Sequence, residues 1–464
     1  MSRLAAMLAA LAVLSCFPAQ AAADPPAAPR DLYAEATRPD QVVLTWRPGA
    51  DPVPPGERYA VFRDGVLAGT AGAAGFVDEW LLENTRYEYA VRALSLDEES
   101  SPDSGVARIT TPPSQAFEIG PYLQQLTPTG AEIVWQTYEP ATTVLHFGPV
   151  GGPLAIMERD AELTRRHAVP VRGLQPGADY SYQWESDGKL GKLSTFRTPV
   201  VGPDQFSFGV IGDFGIGTPA ARANLRRLSA DPAVDFALTT GDNAQIYGTE
   251  DEYRRFVLGP LRDLIATKPF WPSVGNHDYY NLQNYLRFFA LPNGGLYYSF
   301  TYGGVLFVAL DSNRFDAKQR RWLRGELRGS TARCKVAYFH HPLWSSGRGY
   351  GGHARHLRRE RFVPILERGG VDLVLNGHVQ NYERSKPLRS GRRNRRRGTV
   401  YIVTGGGGAS LNGFVTRRRP RWSAQRGAFF HRLRIREENR TFRGKAIDAA
   451  GNTRDRFRVP CRPG

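Results

Sequence analysis

The sequence predicts a multidomain chain in which two all-β sandwiches precede a layered α/β domain. Two observations carry this. Residues 31–200 hold short β-branched and aromatic runs broken by turn residues, with no helical period between them. After Asp204, apolar runs at 206–211, 235–240, 305–310, 335–339, 371–375 and 399–403 alternate with longer amphipathic stretches, helical over 219–229 and 316–328.

The elements follow in order. Residues 1–23 read as an export signal: Arg3, the apolar stretch Leu4–Leu14 and the small-x-small site Ala19-Gln20-Ala21. Val13-Leu14-Ser15-Cys16 offers a rival lipoprotein reading, but Leu in its second position departs from the lipobox pattern. The expected location is therefore secreted or periplasmic, with lipid anchoring at Cys16 the lesser alternative. Residues 24–113 form the first sandwich, with strands at Val42–Trp46, Tyr59–Phe62 and Tyr87–Arg92 and a tight turn at Arg63-Asp64-Gly65. Residues 114–200 form the second, in which Ala131–Thr137 alternates with period 2. Residues 201–464 form the α/β domain.

Composition bounds the function. Hydrophobic residues make up 41% and charged residues 23% of the 464, which excludes a disordered chain. Past the signal no apolar run approaches the roughly 18 residues of a membrane span, so no transmembrane segment is expected. The formal charge of +16 is uneven: about −6 over 1–114, −2 over 115–200 and +24 over 201–464. Arg389, Arg392, Arg393, Arg395, Arg396 and Arg397 lie in one loop, and Arg417, Arg418, Arg419 and Arg421 in another. These are solvated loops or a rim that steers polyanionic substrates. Little aromatic interleaving accompanies them, so no specific nucleic-acid binding is expected. Export leaves Cys334 and Cys461, either one disulfide or two buried thiols.

The chemistry sits where the apolar strands end. Gly212-Asp213, Gly241-Asp242, Gly275-Asn276-His277-Asp278, His340-His341 and Gly377-His378 each follow a strand. Loops at the C-terminal strand ends of an α/β sheet gather on one edge, which brings two Asp, one Asn and several His together. Carboxylate and amide oxygens mixed with imidazoles suit Zn, Mn or Fe in a hydrolytic site.

The ordered set GDFG (212–215), GD (241–242), GNHD (275–278), FHHP (339–342) and GHVQNYER (377–384), with DSN (311–313) and GTVYIVTGGGGA (398–409), resembles the calcineurin-like metallophosphoesterases. Within them it resembles the purple acid phosphatases, over about 115–450. Residues 31–111 resemble a fibronectin type III module. The resemblance implies a four-layer α/β domain and two metal ions bridged by Asp242, with Asn276, His340 and His378 on the second ion and Asp213 on the first. The family Tyr three residues after the bridging Asp is Gln245 here, and the second His of its GHxH is Gln380. Both departures fall on the first ion. That ion is then lost, held weakly through amide oxygens, or bound by Tyr247 instead. Without substitution by ligand, the two Gln amides would hydrogen-bond each other. The family's purple colour comes from a Tyr–iron bond, so Gln245 implies a colourless protein.

The resemblance implies hydrolysis of phosphomonoesters, or diesters, by metal-activated hydroxide, with His277 at the leaving group, His353 (His356 as alternative) touching substrate and His341 supporting a ligand. The competing expectation is a degenerate phosphatase that binds phosphorylated ligands or cell-surface polymer without turnover.

Overall fold

Alternation builds the N-terminal sheets. In the computed structural model, which describes residues 25–38, 40–49, 58–95, 99–111, 119–348 and 353–462, the strands Val66–Ala71, Arg58–Arg63, Arg86–Leu94 and Ala107–Thr110 pair in that order. A second sheet joins Arg30–Arg38, Gln41–Arg47 and Gly75–Glu79. Arg86–Leu94 buries every second residue, from Tyr87 to Ala93. The turn at Asp64-Gly65 has φ of +50° and +77°, the left-handed pair that a two-residue hairpin with right-twisted strands requires. The signal segment, Cys16 and the first domain boundary at 113 lie outside the described residues.

The described chain divides into two compact units: one takes the described residues of Met1–Ala34, Leu44–Phe76 and Glu88–Arg108, the other Glu35–Val43, Val77–Tyr87 and Ile109–Gly464. In the larger unit, residues 119–197 form one continuous six-stranded sheet. Its strand Gly130–Pro149 pairs through 130–136 with Val171 and its neighbours, and through Val144–Pro149 with Asp179–Ser186. The sheet folds over a core of Trp135, Trp184, Leu145, Val169 and Phe196. The expected second sandwich is thus two leaves of a single bent sheet.

From Phe206 onward the layered domain appears. A six-stranded sheet runs Phe270–Pro272, Phe236–Thr239, Phe206–Ile211, His431–Glu438, Thr441–Asp448, Thr453–Pro460. A seven-stranded sheet runs Tyr298–Tyr302, Val305–Ala309, Cys334–Tyr338, Leu373–Asn376, Val400–Thr404, Tyr382–Ser385, Ser423–Gly427. The two share one core, in which the Phe208 and Phe307 rings meet edge to face at 5.3 Å. Helix Pro219–Ser229 buries Leu225 and Leu228 against the first sheet. Helices Ala317–Gly329 and His353–Arg368 bury Leu323, Leu327, Phe362 and Leu366 against Leu306, Val308 and Val374 of the second. Helix, sheet, sheet, helix is the expected four-layer order. Among the described residues no helix is long and apolar enough to cross a membrane.

The C-terminus is tied down. Cys334, opening a strand of the second sheet, is disulfide-bonded to Cys461, just past the last strand of the first. The bond closes a separation of 127 residues, worth on the order of 4–5 kcal/mol in the chain-entropy account. Arg462 then donates to the carbonyls of Glu367 (3.0 Å) and Val371 (2.8 Å).

His431 is fully buried. Its Nδ1 donates to the Phe429 carbonyl (2.9 Å) and its Nε2 accepts from the Thr404 hydroxyl (3.0 Å), so the neutral ring fits and burial pushes its pKa down to about 4. A pKa below the unfolded 6.5 stabilises the fold above pH 6.5, and that stabilisation falls away between pH 6.5 and 4. The expected outcome is that His431→Gln flattens the stability–pH slope in this window by up to about 1.4 kcal/mol per pH unit. Denaturant titrations at several pH values measure it, and equal slopes would contradict it.

Candidate metal centre

Each candidate ligand stands two to four residues beyond a buried strand. Phe206–Ile211 ends before Asp213, Phe236–Thr239 before Asp242, Phe270–Pro272 before Asn276, Cys334–Tyr338 before His340 and Leu373–Asn376 before His378. Three of these five are left-handed: Asp213 at φ +58°, Asp242 at +48° and His378 at +67°. Such backbone is costly for non-glycine residues and gathers at functional sites. Neighbouring loops are stitched together, since Asp213 N donates to the Gly241 carbonyl (3.2 Å) and Gly377 N to the His340 carbonyl (2.9 Å). Gly275 admits this closeness: a Cβ there would stand 2.0 Å from Asp242 N.

Four of the five converge. His340 Nε2 and His378 Nδ1 each lie 2.9 Å from Asn276 Oδ1 and 3.1 Å from one another, and Asp242 Oδ2 lies 3.1 Å from His340 Nε2. His340 Nδ1 donates to the Thr240 carbonyl (2.9 Å), which leaves the lone pair of the neutral ring on Nε2, facing the cluster. Donor atoms about 3 Å apart suit one small cation, since ligands held at about 2.0–2.1 Å in a tetrahedron stand roughly 3.3 Å apart. This group fits a metal ion.

Charge supports the fit. Asp213 and Asp242 are buried within one cluster with His340. Burial pushes Asp213 well above the carboxylate range, opposed by His340 and reinforced by the charge of Asp242. Burial also pushes Asp242 upward, but the charge and hydrogen bond of His340 outweigh it and bring its pKa below the usual value. Burial alone would lower His340; the two carboxylates raise it to about 9. In the metal-free protein an imidazolium thus supplies the positive charge this cluster demands.

The first-ion residues are arranged otherwise. Asp213 Oδ2 accepts from His378 N (2.9 Å) and its Oδ1 from Gln380 Nε2 (3.3 Å). Gln380 Nε2 also donates to the His378 carbonyl (3.0 Å). Both neighbours are acceptors, so the amide presents N–H there, and an amide N–H has no lone pair for a metal. The expected pairing of the two Gln amides is not found: Gln245 Oε1 is buried without a hydrogen-bond partner among the described residues. A replacement ligand at Tyr247 is not found either. Its side chain is 63% exposed, with its ring 6.3 Å from Tyr280, whereas a ligand shared with Asp213 and Asp242 would be buried with them.

His277 borders the cluster. Its N donates to Asp242 Oδ1 (2.8 Å), its Nδ1 to the Ile246 carbonyl (3.0 Å), and its Nε2 stands 3.9 Å from Asp242 Oδ2. His341 shares a 2.9 Å hydrogen bond between Nδ1 and the Ser312 hydroxyl, and its ring lies 4.4 Å from that of His378. The side chains of His353 and His356, which open a helix, lie outside the described residues.

Two supporting residues had no assigned role in the sequence. Asp278 does not join the ligands. Buried, it accepts from Gly275 N (2.7 Å), Ala244 N (3.2 Å), Asn243 Nδ2 (3.0 Å) and the Tyr253 hydroxyl, and so locks the Asp242 loop to the Asn276 loop. Ser312 accepts from His341 N (3.0 Å) besides meeting its ring. Their signal was the last residue of GNHD and the middle residue of DSN. Cys334, Asp372 and Cys461 also cluster, but the two thiols are joined as a disulfide.

Residues 206–382 match the family profile described as calcineurin-like phosphoesterase. Acid phosphatase type 7 of Mus musculus is 29% identical, with 63% of this chain and 78% of that protein aligned. Purple acid phosphatase 15 of Arabidopsis thaliana is 30% identical over 52% of this chain and 53% of its own length, so the chain spans about half of that relative. The purple acid phosphatase PPD1 of yellow lupin (Lupinus luteus) seeds shares the fold, with TM-score 0.70, 18% identity and 93% of each chain covered.

If His378 is a ligand, His378→Ala lowers metal affinity by more than about 100-fold, the upper end of what losing a supporting contact costs. Tyr247→Phe leaves it unchanged. Competition with a chelator followed by elemental mass spectrometry measures both, and retention of metal by His378→Ala would contradict the assignment.

Proposed function

We propose, from the premise that this chain carries a calcineurin-like phosphoesterase domain on a purple acid phosphatase fold, that it is an exported hydrolase of phosphomonoesters, and secondarily of diesters, working with one tightly held metal ion. The observation that carries this is the convergence of His340 Nε2, His378 Nδ1, Asn276 Oδ1 and Asp242 Oδ2 within about 3 Å steps. The N–H that Gln380 turns toward Asp213 argues against an equally firm first site, which among the described residues is left with Asp213, already accepting from His378 N and Gln380, and the unpartnered Gln245 carbonyl oxygen. Iron, zinc and manganese all suit the mixed donors.

The ion supplies Lewis acidity for a water and for the phosphoryl oxygens. The protein's own residues do the rest. Asp242 and Asn276 hold oxygen donors in place on loops that Asp278 locks together. The Ile246 carbonyl occupies Nδ1 of His277, so Nε2 is the atom that hands a proton to the departing oxygen once the ring is protonated. Gly241 and Gly275 let the loops approach closely, since a Cβ at either would stand 2.7 Å from His340 Nδ1 or 2.0 Å from Asp242 N. Loop residues Arg417, Arg418, Arg419 and Arg421 are exposed. They continue from Asn412, which exchanges hydrogen bonds with the Gln380 backbone (2.9 and 2.8 Å), and this supports their steering of anionic substrates toward the site. We assign residues 24–113 and 114–200 to two β modules that precede the enzyme at 201–464, and residues 1–23 to export into the periplasm or medium.

With metal supplied, the expected outcome is hydrolysis of phosphate monoesters that Asp242→Ala reduces to background. His277→Ala lowers kcat by about 10²–10⁴-fold for alkyl esters, whose leaving oxygen needs the proton most, and less for aryl esters. Steady-state kinetics on the two ester classes measure this. Unchanged rates in Asp242→Ala would contradict the function.

A further inference from the structure

The loop after Asp242 and the turn after His277 put side chains into solvent beside the metal cluster. Tyr247 and Tyr280 are each 63% exposed and Ile246 is 39% exposed. Tyr280 stands edge-on to His277 with ring centroids 5.4 Å apart, and Tyr247 lies 6.3 Å from Tyr280. So little burial gives these side chains a small share in folding.

The backbone of Ile246 and Tyr247 is nonetheless held firmly. The buried carboxylate of Glu252 accepts from the N–H groups of Ile246 (3.1 Å), Tyr247 (3.1 Å) and Gly248 (3.3 Å). Asn281 Nδ2 donates to the Tyr247 carbonyl (2.8 Å), and Asn284 Nδ2 to the Gly248 carbonyl (2.9 Å). A pinned loop that presents exposed rings loses little freedom when something lands on them.

We infer that Tyr247 and Tyr280 form an aromatic platform that receives the organic part of the ester, selecting substrates with flat aromatic leaving groups. This rests on the phosphatase reading above, since position decides the occupant. His277 Nε2 points at the cluster and serves the leaving oxygen, so the group attached to that oxygen extends past His277 toward Tyr280. Exposed rings there gain area and stacking contact from an aromatic substituent and little from a short alkyl chain.

The test uses the full mature chain loaded with metal. Tyr247→Ala with Tyr280→Ala lowers kcat/KM for phenyl phosphate about 10-fold more than for ethyl phosphate, the scale of one or two ring contacts. Tyr247→Phe with Tyr280→Phe, which keeps both rings, restores the phenyl rate. An equal loss on both esters, or a Phe variant as poor as the Ala variant, overturns the platform. Calorimetry with phenylphosphonate and methylphosphonate asks the same question without turnover. Tighter phenylphosphonate binding that disappears in the Ala variant, in a protein that hydrolyses neither ester, sinks the phosphatase reading and keeps the platform. Turnover without any aryl preference sinks the platform alone.

Discussion

Asp213 and Asp242 are buried in the same side-chain cluster, and two carboxylates out of water need positive charge near them. In the protein alone His340 provides it, since the carboxylates of Asp242 and Asp213 push its pKa up to about 9 against the effect of burial. A divalent ion would provide more and release the imidazole lone pair to bind it. Much else follows from delivering these groups to one point. Parallel strands end together at a sheet edge, the ligands turn through left-handed backbone, and Asp278 holds two of their loops in register. The strain at Asp213, Asp242 and His378 is tolerable because two packed sheets fix the strands behind them.

The layered domain was legible because strand ends are: an apolar run closing on Gly-Asp or on His marks both a buried strand and its functional tip. The predicted runs at 206–211, 235–240, 305–310 and 399–403 coincide with observed strands to within a residue or two. The C-terminal strands His431–Glu438, Thr441–Asp448 and Thr453–Pro460 were not predicted. Their alternation is written in Arg against Phe, Val and Ile, as in Arg456, Phe457, Arg458 and Val459, and reads as a basic tail until the buried positions are seen. The second sandwich was expected as two sheets; that Gly130–Pro149 bends through both leaves depends on tertiary packing around Trp135 and Trp184, which local pattern does not report.

The candidate ligands were readable as a set, but their relations were not. Sequence spacing could not say that Gln380 would turn its N–H toward Asp213 rather than meet Gln245, because that depends on the His378 carbonyl lying alongside. Nor could it place Tyr247, two positions past the family's ligand position and a ligand only if the backbone shifted; its loop, held from behind by Glu252, carries the ring outward beside Tyr280. The basic charge of the domain has a similar resolution. Part of it lies on outward positions of the last strand, where Arg454, Arg456 and Arg458 charge an exposed sheet edge and discourage edge-to-edge pairing. Part remains in the loops that leave Asn412 near the site.

A centre with one firmly held ion is the claim on which the rest turns. X-ray absorption at the metal edge, on protein loaded with zinc or manganese, tests it most directly. One firmly held ion gives nearest-neighbour scattering from two imidazoles and oxygen donors, with none from a second metal. A second metal at the roughly 3.5–4 Å typical of two-ion sites would contradict it.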